Sequence, residues 1–178
     1  MPELAKPITF IFNKITQTGE YPRQWIVEYQ ISIPKVSPPS SRDDLRNISF
    51  TSFFSKLYEA FIGEWLMPYI EPFLDPGQCG GLKGSSITHY LVKLLHFIHS
   101  YLDKKEPHAV LLALVDLEKA FNRVSHHIVI EDLAAMHVPG WLLKILISYL
   151  SNRSMFLQFE GESSSRKMLP ASTPRVHS

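Results

Sequence analysis

The chain has 178 residues, of which 45% are hydrophobic and 20% are charged, and its formal net charge is +1. This composition indicates a packed domain rather than a disordered segment, and the small net charge gives no overall sign of nucleic-acid binding. A single cysteine, Cys79, excludes an internal disulfide and a Cys-rich zinc site. Apolar runs are shorter than the roughly 18 residues of a membrane span and no signal-peptide pattern opens the sequence, so a cytoplasmic or nuclear location is the default expectation.

The first half of the chain predicts one strand and two long helices. From Trp25 to Ile33, apolar residues alternate with mostly polar ones, which indicates a half-buried strand. Apolar residues recur at helical spacing from Phe50 to Leu66, and the proline-rich segment 68–77 is expected to end that helix. A second apolar stripe runs from Ile87 to Leu102, with Ser85 or Ser86 as its N-cap.

The second half predicts a buried strand, two helices and a hairpin. Residues 109–115 are all apolar, which is typical of a strand buried on both faces. Helices are expected over 127–136 and 141–150, separated by a Pro-Gly pair. Segments 155–159 and 166–169 predict a hairpin around Glu-Gly. The mixture of elements predicts an α+β fold.

Asp116 directly follows the apolar run and is the strongest local candidate for a functional residue. A carboxylate at the end of a buried strand is held by rigid scaffold, and hard cations such as Mg2+ take oxygen ligands. Asp is also a favoured helix N-cap. The local pattern leaves the metal site and the helix cap open.

The segment VDLEKAFNRVSHH, which contains Asp116, resembles the first palm motif of the reverse transcriptases of LINE-type (non-LTR) retrotransposons. That motif has an Asp, two variable residues, Lys-Ala-Phe-Asp, and then Val and His. The Lys-Ala-Phe triplet, Val124 and His126 match, whereas Asn122 stands where the family has its second Asp. The change weakens the expected site without removing its principal metal ligand.

The resemblance implies a role for three residues of this motif. Asp116 and the backbone carbonyl of Leu117 would hold a catalytic metal ion, Mg2+ with Mn2+ as an alternative. Phe121 would pack under the sugar of the incoming nucleotide and exclude a ribose 2′-hydroxyl. Polymerisation through two metal ions needs at least two positioned acids, and no second candidate stands out in the sequence.

Further blocks resemble the same family in the same order, and they span residues 11–35, 43–62, 78–91 and 147–153. The resemblance implies that Lys35 and Arg46 contact the incoming deoxynucleoside triphosphate, and that Gln78 and Lys83 contact the template. Ordinary solvated cations in loops and turns are the alternative explanation for the Lys and Arg residues. Departures from the family pattern are Leu45, Asn47, Cys79 and Gly81.

The family also implies a fold, a division of the chain and partners. We expect a partial right-hand polymerase fold, with residues 1–108 as the fingers region, residues 109–178 as a truncated palm containing the first catalytic motif, and no thumb. After Ser-Thr-Pro at 172–174 the family continues into Gln-Gly and later an aromatic-x-Asp-Asp hairpin, whereas these 178 residues contain neither. The expected partners are an RNA template, a DNA primer and deoxynucleoside triphosphates.

Two functional hypotheses follow. The first is a fragment of a retrotransposon RNA-directed DNA polymerase that is inactive on its own because the Asp-Asp motif is missing. The second is a non-catalytic nucleic-acid-binding relic or a gene-model fragment. The eight histidines do not predict a zinc site, since neither the pair at 96 and 99 nor the pair at 126 and 127 has a nearby Cys or carboxylate at zinc spacing. Aromatic residues at helical spacing are expected in the core rather than as platforms for bases.

Overall fold

The computed structural model describes residues 2–41, 44–106, 109–115, 124–159 and 161–169. The chain forms two compact units, one made of Met1–Glu71 with Lys119–Ser178 and the other of Pro72–Glu118. Helices and strands both occur, which confirms the mixed α and β class. The partial polymerase fold and the division into 1–108 and 109–178 stay predictions.

The helices of the described chain are α1 (Pro2–Thr18), α2 (Phe53–Ile70), α3 (Ile87–Leu102), α4 (His126–Ala135) and α5 (Gly140–Leu150). The strands are β1 (Val27–Pro34), β2 (Leu45–Phe50), β3 (Ser154–Phe159), β4 (Glu162–Ser163) and β5 (Lys167–Met168). Single turns of 3-10 helix span Arg23–Trp25 and Glu71–Phe73. Among the described helices, none is long and apolar enough to cross a bilayer.

The strands form one sheet in the order β2-β1-β3-β4, with β5 also paired to β3. β1 lies between β2 and β3 in the sheet. It pairs antiparallel with β2, the next strand in the sequence, and parallel with β3, which is distant in the sequence. β3 pairs antiparallel with β4 and β5, which confirms the predicted hairpin.

A hydrophobic core lies among α1, α2, α4 and α5 in the first unit. Apolar side chains at helical spacing on each of these helices point inward, and Tyr58, Leu142 and Ile145 are fully buried. Tyr21, just after α1, belongs to the same core, and its N–H donates to the Ser148 hydroxyl at 2.8 Å. The core therefore joins segments that are far apart in the sequence.

Helix α2 differs from the prediction at both ends. It begins at Phe53 rather than Phe50, because Phe50 is the last residue of β2 and pairs with Tyr29. It also continues through Pro68 to Ile70. A proline in the last turn removes one backbone donor near a helix end, where the loss interrupts little of the helix.

Helix α3 follows the prediction closely. Ser86 is its N-cap, with the side-chain oxygen accepting a hydrogen bond from the His89 N–H at 3.3 Å. All side chains of α3 are at least partly exposed. The sequence pattern identified the helix correctly, but not the burial of its apolar stripe.

Candidate functional site

Lys35 and Arg46, the predicted phosphate contacts, lie at the same end of the β1–β2 hairpin. Arg46 is opposite Ile33, and the Lys35 N–H donates to the Asp44 carbonyl at 2.7 Å, one step beyond the last strand pair. In this register Lys35 and Arg46 are diagonal neighbours on one face, and such neighbours lie about 7–8 Å apart in an antiparallel ladder. Both residues are exposed. The hairpin therefore presents two cations close enough to bind one polyphosphate.

The turn before Arg46 is held by the carboxylate of Asp44. It accepts hydrogen bonds from the backbone N–H and hydroxyl of Ser40, both at 2.9 Å, and from the Ser41 N–H at 2.8 Å. These bonds, the Ser40 N–H first, lower the pKa of Asp44 to about 2, so the group is ionised at neutral pH. The backbone leading into Arg46 is thus fixed locally.

The two faces of β1 have opposite chemistry. Glu28, Gln30 and Ser32 alternate with Tyr29, Ile31 and Ile33, and alternating residues of a strand face opposite sides of the sheet. Glu28 is buried on the polar face, whereas Ile33 is 44% exposed on the apolar face. Near the tip of the β1–β2 hairpin, the apolar face is therefore exposed to solvent. Lys35 and Arg46 lie on this same face.

Three aromatic rings form a row across that apolar face. Tyr29 of β1 stacks on Phe50 of β2, with ring centroids 5.0 Å apart and planes 9° apart. Phe156 of β3 lies on the other side of Tyr29 at 6.2 Å and 30°. The three rings are partly exposed and line a cleft of about 470 Å³, together with Arg23 and Arg166. We call Tyr29, Phe50 and Phe156 the aromatic row.

The two predicted template contacts, Gln78 and Lys83, belong to the second unit. The Gln78 side-chain amide donates to the carbonyl of Gly80 at 2.9 Å, so it stabilises its own turn. Gly81 and Gly84 on either side of Lys83 have positive φ angles of 75° and 79°, a backbone shape that suits glycine. Lys83 is exposed on this turn, and its contact with a template stays a prediction.

Residues 109–115 do not have the predicted conformation. The described segment forms no strand, and its side chains are largely exposed, with Leu111 at 96% and Leu114 at 88%. A strand buried on both faces requires neighbouring strands and covering layers, and none of the described strand pairs includes these residues. Asp116, Leu117 and Phe121 lie outside the described residues, so the predicted metal site stays a prediction.

A protein-family model described as reverse transcriptase (RNA-dependent DNA polymerase) matches residues 33–172 of the chain. This range covers most of the chain, including both hairpin cations and Asp116. The chain belongs to the reverse transcriptase family. The match confirms the reverse transcriptase family, and the narrower assignment to LINE-type (non-LTR) retrotransposons stays a prediction.

Two curated relatives of this reverse transcriptase chain come from Drosophila melanogaster. A probable RNA-directed DNA polymerase from transposon BS is 27% identical over 172 residues. The RNA-directed DNA polymerase from mobile element jockey is 25% identical over 171 residues. In each case the alignment covers 94% of this chain but 18% of the relative, so the chain spans about a fifth of the length of these proteins.

The last reverse transcriptase block, residues 147–153, ends in an arginine whose environment the sequence did not reveal. Arg153 is fully buried, donates from Nη1 to the Tyr149 carbonyl at 3.3 Å, and lies 4.8 Å from the centre of the Tyr149 ring. Its Nη2 is 4.0 Å from the buried carboxylate of Glu28. Arg153 thus joins the end of α5 to the buried face of β1. The sequence carries no local signal of this environment, because Glu28 lies far from Arg153 along the chain.

Reverse transcriptases generally use divalent metal ions. Within the described ranges, no three His, Cys, Asp or Glu side chains are grouped to hold one. On one face of α4, the His127 Nδ1 lies 3.0 Å from a carboxylate oxygen of Glu131, and both side chains are exposed. Asp116 therefore remains the metal-ligand candidate, on the chemistry of its carboxylate and its place in the family motif.

Proposed function

We propose that this chain is part of the polymerase domain of an RNA-directed DNA polymerase from a LINE-type (non-LTR) retrotransposon. The observation that carries the proposal is the family match over residues 33–172, which includes Lys35 and Arg46 on one exposed face of the β1–β2 hairpin. The reaction in the intact protein would extend a DNA primer along an RNA template. Deoxynucleoside triphosphates would be the substrates.

Lys35 and Arg46 would bind the triphosphate of the incoming nucleotide. An Arg guanidinium can grip phosphate oxygens with two parallel hydrogen bonds, and a Lys ammonium acts as a compact point charge. The turn held by Asp44 fixes the backbone before Arg46, which limits the ordering that nucleotide binding would require. Holding the α-phosphate in position supplies much of the rate in such transfers.

Asp116 and the backbone carbonyl of Leu117 would hold Mg2+, or Mn2+, because hard cations prefer oxygen ligands. When bound, the metal ions would steady the attacking and leaving oxygens of the phosphoryl transfer. Phe121 would pack under the deoxyribose, and Gln78 and Lys83 would contact the template. These assignments rest on the resemblance of each residue to the family motif.

A non-catalytic nucleic-acid-binding relic is the second candidate function. It is favoured by Asn122, which replaces an acid of the family motif. Both candidates share the fold and the basic hairpin. They differ in whether the chain binds a deoxynucleotide with a metal ion.

Titration with a fluorescent deoxynucleoside triphosphate in the presence of Mg2+ tests the proposal. Arg46→Ala should weaken binding by about 1.5–3 kcal/mol, the range for a hydrogen bond to a charged group. Lys35→Ala should weaken it in the same direction. Lys56→Ala is the matched control, because Lys56 is an exposed cation on α2, outside the hairpin.

The control variant should bind as the unaltered chain does, and EDTA should weaken binding if metal assists. Equal affinity of the Arg46→Ala and Lys56→Ala variants would contradict the role of the hairpin. Undetectable nucleotide binding by the unaltered chain would favour the relic.

A further inference from the structure

One face of α2 is exposed to solvent along the length of the helix. Its residues are three or four apart in the sequence, and side chains with that spacing are neighbours on a helix surface. Phe53 and Met67 lie at the two ends of this face, and Lys56, Leu57, Ala60, Gly63 and Glu64 lie between them. All seven are exposed, with Phe53 at 73% and Leu57 and Met67 at 37%. We call these residues the outer face of α2.

We propose that the outer face of α2 binds the same face of a second copy of this chain, with the two helices antiparallel and related by a two-fold axis at Ala60. In such a symmetric interface, the same surface of both copies is used and every contact occurs twice. A residue before Ala60 therefore lies level with the residue the same distance after Ala60 in the other copy. Counting from Ala60 gives each contact of the interface.

The charges of the outer face are complementary in this arrangement. Lys56 lies four residues before Ala60, and Glu64 lies four residues after it. Each Lys56 is thus level with Glu64 of the other copy, and the flexible four-carbon stem of lysine lets its ammonium reach across the interface. Parallel helices would instead place each charge beside its own kind, which is repulsive. The charge pattern therefore favours the antiparallel arrangement.

The uncharged residues of the outer face suit the same register. Phe53 and Met67 lie seven residues from Ala60 on either side, so each aromatic ring meets an adaptable thioether side chain. Leu57 and Gly63 lie three residues from Ala60, so each leucine meets a position without a side chain. With small residues at the centre, the helix axes can approach to about 8 Å, the lower end of the usual range.

The size of the outer face predicts a weak dimer. Helix α2 has 18 residues and so spans about 27 Å. Pairing along this length would bury on the order of 1,000 Å² in total, the lower limit for a specific interface. Phe54 and Phe61, each 41% exposed, would add apolar area at one edge. Since a net charge of +1 causes little repulsion between copies, we expect a Kd on the order of 1–100 µM.

Sedimentation velocity of the whole chain, at protein concentrations from about 0.1 µM to 1 mM, brackets this Kd and measures the dimer. Ala60→Glu places two carboxylates side by side at the two-fold axis, so this variant should remain a monomer throughout the series. Ala5→Glu is the matched control, because Ala5 is an exposed helical alanine on α1, and it should dimerise as the unaltered chain does. Thermal unfolding of each variant establishes that it is folded.

Charge reversal tests the register of the two helices. Lys56→Glu and Glu64→Lys each convert both ion pairs between the copies into like-charge pairs, so each variant alone should dimerise about tenfold more weakly. A mixture of the two variants should form a heterodimer as readily as the unaltered chain dimerises, because every glutamate of one variant is then level with a lysine of the other. Unspecific apolar association would not show this recovery.

The proposal is overturned if the unaltered chain stays monomeric, if Ala60→Glu associates as Ala5→Glu does, or if the mixed charge variants associate no more tightly than either alone. Assembly beyond a dimer would also overturn it, since a two-fold interface closes with two copies. The assay contains no nucleotide, and the β1–β2 hairpin is unaltered in every variant. The nucleotide titration with its Lys56→Ala control reports affinity at that hairpin, which lies outside the outer face of α2.

Discussion

Glu28 and Arg153 are charged residues in places where apolar side chains are the rule. Glu28 is 2% exposed and Arg153 is fully buried, with 4.0 Å between the nearest oxygen and nitrogen. Burial raises the pKa of Glu28 above its ordinary value of 4.5, although Arg153 and a hydrogen bond with Ser49 act in the opposite direction. A buried pair of this kind contributes little net stability, yet removing one partner leaves an uncompensated buried charge.

The raised pKa of Glu28 predicts a pH-dependent stability. Below about pH 4.5 the carboxyl is protonated in both the folded and the unfolded chain. As pH rises, the unfolded chain loses this proton first, so the free energy of unfolding should fall until pH passes the folded pKa. Each unit of pKa difference corresponds to about 1.4 kcal/mol. Denaturant unfolding at several pH values between 4 and 8 measures the effect.

Glu28→Gln is the matched variant for this measurement, because glutamine keeps the size and hydrogen-bonding capacity without titrating. The difference in unfolding free energy between the two proteins should move in favour of the glutamine variant as pH rises. A difference that is constant with pH, or that moves the other way, would contradict the raised pKa.

At the scale of the element, the end of α1 depends on a single glycine. Gly19 has a φ of 69°, and its N–H donates to the Ile15 carbonyl at 2.7 Å. A Cβ on Gly19 would lie 2.6 Å from the Lys144 side chain. Gly19→Ala should lower the free energy of unfolding by about 1–2 kcal/mol, the cost of the left-handed conformation for other residues.

Gly63 in α2 provides the opposite case. A Cβ there would meet no atom within 4 Å, and the residue is helical and exposed. Gly63→Ala should therefore raise the free energy of unfolding by about 0.5–1 kcal/mol. Chemical denaturation of the Gly19→Ala and Gly63→Ala variants measures both changes in the free energy of unfolding. A higher free energy of unfolding for Gly19→Ala would contradict the role of Gly19 at the end of α1.

The elements predicted correctly are those whose signals are local. Alternation identified β1, and an apolar stripe with an N-cap serine identified α3. The assignment of Phe50 to a helix was wrong, because helical spacing is a local pattern and contains no information about the pairing of Phe50 with Tyr29 on another strand. The same limit hid the aromatic row, since Phe156 joins it through parallel pairing with a strand far away in the sequence.

The candidate site combines residues that local motifs single out with an environment that depends on distant segments. Lys35 and Arg46 were singled out from family motifs, and the hairpin register brings them to one face. The buried environment of Arg153 could not be foreseen, because it depends on the distant carboxylate of Glu28. The apolar run 109–115 predicted a strand from composition alone, whereas a buried strand also needs partners on both sides.

At the scale of the whole molecule, the 178 residues carry one acid of the expected catalytic set. The purified chain should show no templated DNA synthesis above background, because Asp116 alone cannot hold two metal ions in place. Positioning and electrostatic stabilisation supply nearly all the rate in this chemistry, so the loss should be several orders of magnitude. Primer extension on an RNA template with Mg2+ or Mn2+ is the measurement.

Asp116→Ala is the control for that assay. Incorporation by the unaltered chain that disappears in the variant would contradict the expected inactivity. It would require a second carboxylate from elsewhere in the chain or from another subunit.

The parallel pairing of β1 with β3 also has a consequence for synthesis on the ribosome. The β1–β2 hairpin can form as soon as its own residues emerge, but the first unit is interrupted by Pro72–Glu118. Tyr21 must wait for Ser148, its hydrogen-bond partner 127 residues later, and β1 must wait for β3. The apolar side chains of α1 and α2 that pack against α4 and α5 thus remain unburied while the intervening unit is translated. During that interval, which lasts seconds at ordinary rates of elongation, the nascent chain offers chaperones a binding surface that the finished fold conceals.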